Sequence, residues 1–218
     1  MKGKKFAVIL SGCGVYDGAE INEVVLTLLA LETNGVSYQC YAPDISQHHV
    51  INHLTGQELS GERNVLTESA RIVRGSVKNL LHCSPNDYDA LVVPGGFGVA
   101  KNLSDFAFEG ADFQLDPTVL SVLRGFKLQN KPAGYMCIAP VLLPLVYGRG
   151  VKLTVGNDEN TISIVEQLGG SHQRASFDQI VADEINKVVS TPAYMLSGSI
   201  AEAKQGIDKL IQKLIDMS

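Results

Sequence analysis

Cys137 combines a reactive residue type with a position suited to nucleophilic chemistry. An apolar run at residues 132–136 predicts a strand that ends directly before it, and residues 140–146 predict a helix. A cysteine at such a turn has the layout of a nucleophile elbow, in which strained backbone holds the side chain out of the sheet. The helix N-terminus should favour a thiolate. The alternative is a buried structural cysteine, the commoner fate of a free cysteine.

A glycine pair follows another predicted strand and supports the functional interpretation. Gly95 and Gly96 come directly after the apolar strand at residues 90–94. Glycine lets a backbone N–H approach a developing negative charge, and the N–H of Ile138 should lie alongside. We therefore predict an oxyanion and substrate-binding site at Gly95, Gly96 and Ile138. The alternative is a plain tight turn.

The remaining cysteines do not indicate a metal centre or a disulfide framework. The four cysteines, at positions 13, 40, 83 and 137, show no CxxC spacing and no Cys/His cluster with the spacing of metal ligands. Cys13 belongs to a glycine-containing loop at residues 11–18 that should lie across the sheet edge from Cys137. We expect Cys13 to be a packing residue, with a second, resolving thiol as the alternative.

The composition excludes several classes of partner. Hydrophobic residues make up 45% of the 218 residues and charged residues 19%, which is typical of one globular domain over residues 1–218. The formal net charge is -5, without a Lys/Arg cluster, so neither nucleic acid nor an anionic membrane is expected as a partner. No apolar stretch has the length of a membrane span. We predict a cytoplasmic protein.

Alternating apolar and amphipathic stretches predict an α/β fold. Short apolar runs indicate strands at residues 6–10, 36–41, 90–94, 132–136, 151–155 and 187–190. Helical spacing indicates helices at residues 21–31, 65–73, 119–128, 140–146, 162–168 and 200–215. This order predicts a mostly parallel sheet with helices on both faces, and ligands in such folds bind beyond the carboxyl ends of the strands. The polar segment 43–64 is long for a connection, so we expect a hairpin or a lid there.

Several motifs together resemble one known superfamily. The sequences VVPGG at residues 92–96 and CIAP at residues 137–140 look like the PfpI and deglycase superfamily, a branch of the class I glutamine amidotransferase-like fold. More narrowly, SGCGVYDG at residues 11–18, RNVLTESAR at residues 63–71 and TPAY at residues 191–194 resemble the enhancing lycopene biosynthesis (ElbB-type) proteins. These segments span nearly the whole chain.

The resemblance implies a fold, an activity and a set of residues. It implies a flavodoxin-like three-layer sandwich, a homodimer, and cofactor-free glyoxalase activity that converts glyoxal to glycolate, or methylglyoxal to lactate. By position, Cys137 matches the family nucleophile. The family also places a glutamate on the first helix within reach of the thiol, and Glu23 fits that spacing, with Glu20 as the rival. Burial beside the thiol would raise the pKa of this acid and suit it to proton transfer.

One departure from related enzymes narrows the chemistry. Proteases and amidotransferases of this fold carry a histidine directly after the cysteine or on a nearby strand end, whereas residue 138 is Ile. By our interpretation none of the five histidines lies next to a strand end, which leaves a Cys-His-Asp triad in doubt. Two other classes of function stay open: an amidotransferase-like accessory protein linked to isoprenoid synthesis, and a redox sensor that oxidises at Cys137.

Overall fold

The computed structural model describes residues 3–218, and a parallel sheet forms its centre. Within these residues the chain forms nine strands: β1 (Lys5–Ile9), β2 (Ser37–Ala42), β3 (Val77–Asn79), β4 (Ala90–Val93), β5 (Ala133–Met136), β6 (Lys152–Leu153), β7 (Ser171–His172), β8 (Val181–Asp183) and β9 (Val188–Thr191). Seven of them form one sheet in the order β3-β2-β1-β4-β5-β9-β8. All neighbours are parallel except β8, which pairs antiparallel with β9 at the edge. The prediction of a mostly parallel sheet is confirmed.

Helices cover both faces of this sheet. The described chain forms eight α-helices: α1 (Ile21–Thr33), α2 (Val65–Ile72), α3 (Phe97–Lys101), α4 (Phe106–Glu109), α5 (Pro117–Leu128), α6 (Leu143–Tyr147), α7 (Glu159–Gln167) and α8 (Ile200–Met217). Successive residues of each strand point to opposite faces, so Phe6 and Val8 pack with α1 and α8, whereas Ala7 and Ile9 pack with α5 and α6. The predicted three-layer α/β sandwich is confirmed.

The first strand–helix–strand unit follows directly from local sequence signals. The side chain of Glu20 caps α1, and Asn34 ends the helix with backbone bonds to its last carbonyls. Gly35 then adopts a φ of 69°, which a glycine accepts without strain, and β2 begins. Because the crossover returns the chain parallel to β1, Ile9 pairs with Tyr41 in the sheet. The unit therefore leaves loop 11–18 at the carboxyl edge.

The later part of the chain differs from the sequence prediction. The predicted strand 151–155 shortens to β6, which pairs with β7 in a separate two-stranded sheet. Strands β3, β7 and β8 have two or three residues each, too few to show a hydrophobic period. His172 ends β7, so the interpretation that no histidine lies next to a strand end is wrong at this position.

The polar segment 43–64 folds back on the carboxyl edge without regular strands. Single antiparallel bridges join Ser46 with Asn64 and Ile51 with Glu58, so the segment forms an irregular hairpin. Across residues 3–218, the structure contains no helix with the length and apolar character needed to cross a membrane.

Candidate active site

Cys137 forms the turn at the carboxyl end of β5. It directly follows Met136 and adopts a left-handed backbone conformation with a φ of 60°. Its N–H donates to the carbonyl of Thr191 at 3.0 Å, which ties the turn to the end of β9. A residue with a Cβ adopts this conformation only where the surrounding structure holds it. The strained turn of a nucleophile elbow is therefore present at this cysteine.

The thiol of Cys137 is buried and surrounded by hydrogen-bond donors. Its side chain is 7% exposed. Burial raises the pKa of Cys137 well above its usual value and the charge of Glu23 adds to the rise, while hydrogen bonds from the N–H groups of Gly96 and Ile138 oppose it. The next residues form a 3₁₀ turn, Ala139–Leu142, and α6 begins only at Leu143. Within residues 3–218 no α-helix begins beside Cys137, and burial outweighs the two N–H donors, so the expected stabilisation of a thiolate by a helix N-terminus is not found and the thiol needs a base.

Glu23 is a buried carboxyl group beside that thiol. Helix α1 carries it into the site, where its side chain has no exposed area. Its Oε2 accepts a hydrogen bond from the N–H of Gly95 at 2.8 Å, its Oε1 accepts one from the N–H of Tyr194 at 3.1 Å, and the carboxyl also hydrogen-bonds the Cys137 thiol. Burial raises the pKa of Glu23 to about 8, although these hydrogen bonds oppose the shift. Glu23 can therefore gain or lose a proton near neutral pH.

Glu20, the rival acid, is the N-cap of α1. Its Oε2 accepts a hydrogen bond from the N–H of Glu23 at 2.6 Å, and its own N–H donates to the carbonyl of Gly95 at 3.0 Å. Burial raises the pKa of Glu20, and the helix N–H groups oppose the rise. Of the two candidate acids, the structure brings Glu23 to the thiol. Glu20 orients the first turn of α1 and the glycine turn instead.

The two glycines after β4 have separate roles. The N–H of Gly95 is already bonded to Glu23, so it is not available to an oxyanion, contrary to the sequence prediction. A Cβ on Gly95 would lie 2.4 Å from the Cβ of Cys137 and 2.7 Å from Oε2 of Glu23, so only glycine fits between them. Gly96 has a φ of 97°, and its N–H and that of Ile138 donate to the sulfur. These two amides remain the donors available to the reaction.

The thiol opens onto a cavity of about 570 Å³ at the carboxyl edge of the sheet. Phe106 and Ala107 of α4 form part of its wall, and Asp158 and Thr161 at the start of α7 form another part. Tyr194, whose N–H binds Glu23, also lines it. No role in the site was predicted for these residues from the sequence. Helix α4 has only four residues, too few for a helical period, so its pattern gave no signal.

Comparisons with known proteins identify the family of this chain. No family model matches it. It is 42% identical over 224 residues to the human protein named glutamine amidotransferase-like class 1 domain-containing protein 3, mitochondrial, covering 98% of this chain and 83% of the human one. It is 41% identical to the rat ES1 protein homolog, mitochondrial, over 98% of this chain and 84% of the rat protein. The chain belongs to the glutamine amidotransferase-like class 1 (ES1) family.

Solved structures agree with this ES1-family assignment. An isoprenoid biosynthesis protein with an amidotransferase-like domain from Ehrlichia chaffeensis superposes with a TM-score of 0.93 at 35% identity, covering 99% of both chains. Drosophila melanogaster DJ-1beta superposes with a TM-score of 0.55 at 17% identity, covering 99% of this chain and 95% of that one. The second likeness shows the shared fold alone. The resemblance to the class I glutamine amidotransferase-like fold is confirmed.

Cys13 of this ES1-family chain lies apart from the cavity. It is half-buried beside α2, where burial raises the pKa of its thiol, the charge of Glu68 adds to the rise and that of Arg71 opposes it. It is not among the residues that line the cavity of Cys137. The structure therefore gives no geometric support to Cys13 as a resolving thiol.

The histidines also lie outside the cavity wall. His53 stacks on Tyr16, and its Nε2 accepts a hydrogen bond from the N–H of Tyr16 at 3.2 Å. His48 and His49 pack against Phe108. These side chains fasten segment 43–64 to the carboxyl edge. Among residues 3–218 there is no group of three or more His, Cys, Asp or Glu side chains arranged to hold a metal ion.

Proposed function

We propose that this ES1-family chain is a cysteine-dependent glyoxalase, of the hydro-lyase type, that converts glyoxal to glycolate or methylglyoxal to lactate. The observation that carries the proposal is the buried hydrogen bond between the Cys137 thiol and the Glu23 carboxyl, whose pKa is raised to about 8. An acid with such a pKa can accept a proton in one step and return it in the next near neutral pH.

The first step joins the thiol to an aldehyde. The Glu23 carboxylate accepts the thiol proton while the sulfur of Cys137 bonds to the aldehyde carbon, and the C=O π electrons move to oxygen. The N–H groups of Gly96 and Ile138 donate to the sulfur in the resting site, and in the reaction they stabilise the oxyanion. Protonation of that oxygen by Glu23 gives a hemithioacetal.

The second step is an internal redox rearrangement. Glu23 removes the proton from the carbon that bears sulfur, which leaves an enediolate, and returns this proton to the neighbouring carbonyl carbon. The hydroxyl proton on the first carbon's oxygen moves to the oxygen of the second carbon. The first carbon is thereby oxidised to a thioester and the second is reduced to an alcohol. Water then attacks the thioester, supplies the new carboxylate oxygen and releases the hydroxy acid and the free thiol. These reaction steps need no external oxidant and use no cofactor.

Four proteins test this proposal: the wild type, Cys137→Ala, Glu23→Gln and Glu20→Gln. We expect the wild type to form glycolate from glyoxal, and Cys137→Ala to form none above the uncatalysed rate. Glu23→Gln should lose roughly a hundredfold or more in kcat/KM, because it removes the proton acceptor. Glu20→Gln should lose less of its kcat/KM, because Glu20 takes no part in the proton transfer and only helps to hold Glu23 in place.

Reactive dicarbonyls attack exposed thiols, so the control is a second cysteine. Cys13→Ala removes the half-buried thiol outside the cavity and should retain wild-type turnover. Undiminished glycolate formation by Cys137→Ala would refute the proposal.

An accessory role in isoprenoid biosynthesis is the second candidate, favoured by the name of the Ehrlichia protein. Co-purification of a synthase with the intact chain, without dicarbonyl turnover, would support it. A redox sensor fits less well, because burial raises the pKa of Cys137 and so suppresses the thiolate that peroxide oxidises.

We also propose a cytoplasmic homodimer that takes a small dicarbonyl as its partner and binds neither nucleic acid nor membrane. The human and rat relatives are mitochondrial by name, so the compartment needs direct localisation of this chain in its own cells.

A further inference from the structure

The cavity in front of Cys137 is much larger than a two-carbon dicarbonyl. Its volume is about 570 Å³. Glyoxal occupies the space of two to three water molecules, roughly 60–90 Å³ at about 30 Å³ for each water. Most of the cavity would therefore stay unfilled with glyoxal bound, although cavities of a few hundred Å³ commonly hold larger organic molecules. The size indicates a substrate with a further substituent.

Much of the wall of the cavity is apolar. Val15, Phe97 and Phe106 contribute apolar surface to the wall, and Ala107 and Met195 add to it. Phe97 is 48% exposed, so a substantial part of its ring is available for contact. Apolar surface of this kind favours hydrocarbon groups over water. The substituent should therefore be apolar.

The charges around the cavity disfavour an anionic substituent. Asp158 lines it, and its carboxylate accepts hydrogen bonds from the N–H of Thr161 at 2.8 Å and from Oγ1 of Thr161 at 2.6 Å. These bonds lower the pKa of Asp158 and keep it ionised. Among the described lining residues there is no Lys, Arg or His. Lys101 lies near Phe97, but its Nζ donates to the carbonyl of Tyr16 at 2.8 Å. A carboxylate or diphosphate beside Asp158 would therefore meet a like charge, and no cationic side chain among the described lining residues offsets it.

Resting on the glyoxalase proposal, we infer that the site selects uncharged 2-oxoaldehydes that carry an aryl or branched alkyl group. The aldehyde carbon bonds to the sulfur of Cys137, and the substituent lies against Phe97 and Phe106. The atom balance is that of the proposed reaction: the aldehyde carbon is oxidised to the acid, the ketone carbon is reduced to the alcohol, and water supplies one oxygen. Phenylglyoxal would thus give mandelate.

The first test compares three substrates on the wild type. We expect kcat/KM for phenylglyoxal to exceed that for glyoxal by about tenfold or more, since filling an apolar pocket discriminates on that scale. The 4-carboxy derivative of phenylglyoxal should lose about tenfold or more in kcat/KM against its parent, because its carboxylate enters a cavity that already carries the negative charge of Asp158. A preference for glyoxal, or equal rates with both aryl substrates, overturns the inference.

The second test fills part of the cavity with a larger side chain at a lining residue of α4. Ala107→Trp places a large ring in the space for the substituent, and the phenylglyoxal-to-glyoxal ratio of kcat/KM should fall about tenfold or more. Glu109→Trp is the matched control, because Glu109 is an exposed residue of the same helix outside the wall. An unchanged ratio in Ala107→Trp also overturns the inference.

A binding measurement separates this inference from the proposed function. Acetophenone, which has no aldehyde, should slow alkylation of Cys137 by iodoacetamide in the wild type, and acetate should not. Turnover that depends on Cys137 but prefers glyoxal sinks the inference and keeps the glyoxalase. If acetophenone protects Cys137 but no dicarbonyl is turned over, the glyoxalase proposal is refuted and the apolar selectivity of the cavity is supported. If acetophenone and acetate slow the alkylation of Cys137 equally, the inferred apolar selectivity is refuted.

Discussion

The thiol of Cys137 and the carboxyl of Glu23 form one proton-sharing unit at the residue scale. Each group is buried, and burial disfavours the charged form of both. When both the thiol and the carboxyl group are protonated, the pair contains no base. When only the thiol is protonated, the Glu23 carboxylate can accept the proton from the sulfur. The pair therefore becomes reactive when its first proton leaves, which happens near the raised pKa of Glu23.

This unit predicts the pH dependence of the reaction. Burial raises the pKa of Glu23 to about 8, so below that pH the acid is protonated and cannot accept the thiol proton. We expect kcat/KM for a dicarbonyl to rise about tenfold per pH unit from pH 6 and to level off above about 8. Glu23→Gln should lose this inflection. A wild-type profile that is flat from pH 6 to 9 would contradict the assignment.

Gly95→Ala tests the close approach of the two groups. The new Cβ would lie 2.4 Å from the Cβ of Cys137 and 2.9 Å from its sulfur. We expect a loss of about 1–3 kcal/mol in the free energy of unfolding by denaturant, because the site is overpacked, and loss of turnover. Gly3→Ala is the control, since a Cβ there meets nothing within 4 Å. If both variants have equal stability and activity, Cys137 and Glu23 can shift to accommodate the added Cβ, and the prediction is wrong.

At the scale of elements, long periodic segments were predictable and short ones were not. Helices α1, α5 and α8 have twelve or more residues and were predicted within a few residues of their ends. The prediction of a helix at residues 140–146 joined two shorter pieces, a 3₁₀ turn and α6. Composition cannot distinguish these, because Pro140 and Pro144 are compatible with either helix start.

Segment 43–64 is held by a buried acid from another loop. Asp17 has no exposed side-chain area, and its Oδ2 accepts a hydrogen bond from the N–H of Ile51 at 2.6 Å. Asn102 adds a second link, because its Oδ1 accepts from the N–H of His48 at 3.0 Å. The sequence indicated a lid but not its fastening, since these contacts join residues that are distant in the chain.

Removal of that acid should free the segment. Asp17→Ala leaves the N–H of Ile51 without its acceptor, at a cost of about 1–3 kcal/mol to the closed state. We expect limited proteolysis within segment 43–64, where Leu54 is 97% exposed, to accelerate roughly 5- to 100-fold. Asp112→Ala, at an exposed position elsewhere, should be cleaved at the wild-type rate. Unchanged cleavage of Asp17→Ala would mean that Asn102 and the packing of the histidines suffice.

At the scale of the whole molecule, the strand order assembles the site. Strands β1, β4, β5 and β9 are neighbours, so the turns that follow them meet at one edge. Because these strands are parallel, their carboxyl ends lie at that same edge, and the sequence alone indicated that three of these turns converge. The direction of the Cys137 pKa shift was not predictable, because it depends on how completely α1 and the loops seal the thiol from water.

The burial of Glu23 should also appear in the pH dependence of global stability. Its pKa is near 4.3 in an unfolded chain and is raised by burial to about 8 in the folded one, so between these values only the folded state keeps the proton. The free energy of unfolding should therefore fall as pH rises from about 4.5 to 8, by up to about 1.4 kcal/mol per pH unit, and flatten above. Glu23→Gln should lack this slope. At pH 5 the variant should be less stable than the wild type, because the amide NH₂ group faces an N–H donor of Gly95 or Tyr194. Urea titrations of both proteins at unit pH steps measure the difference between their free energies of unfolding. This difference should become smaller towards pH 8. Parallel curves would show that Glu23 is ionised in the folded protein throughout this range, and the thiol would then have a resident base at every pH.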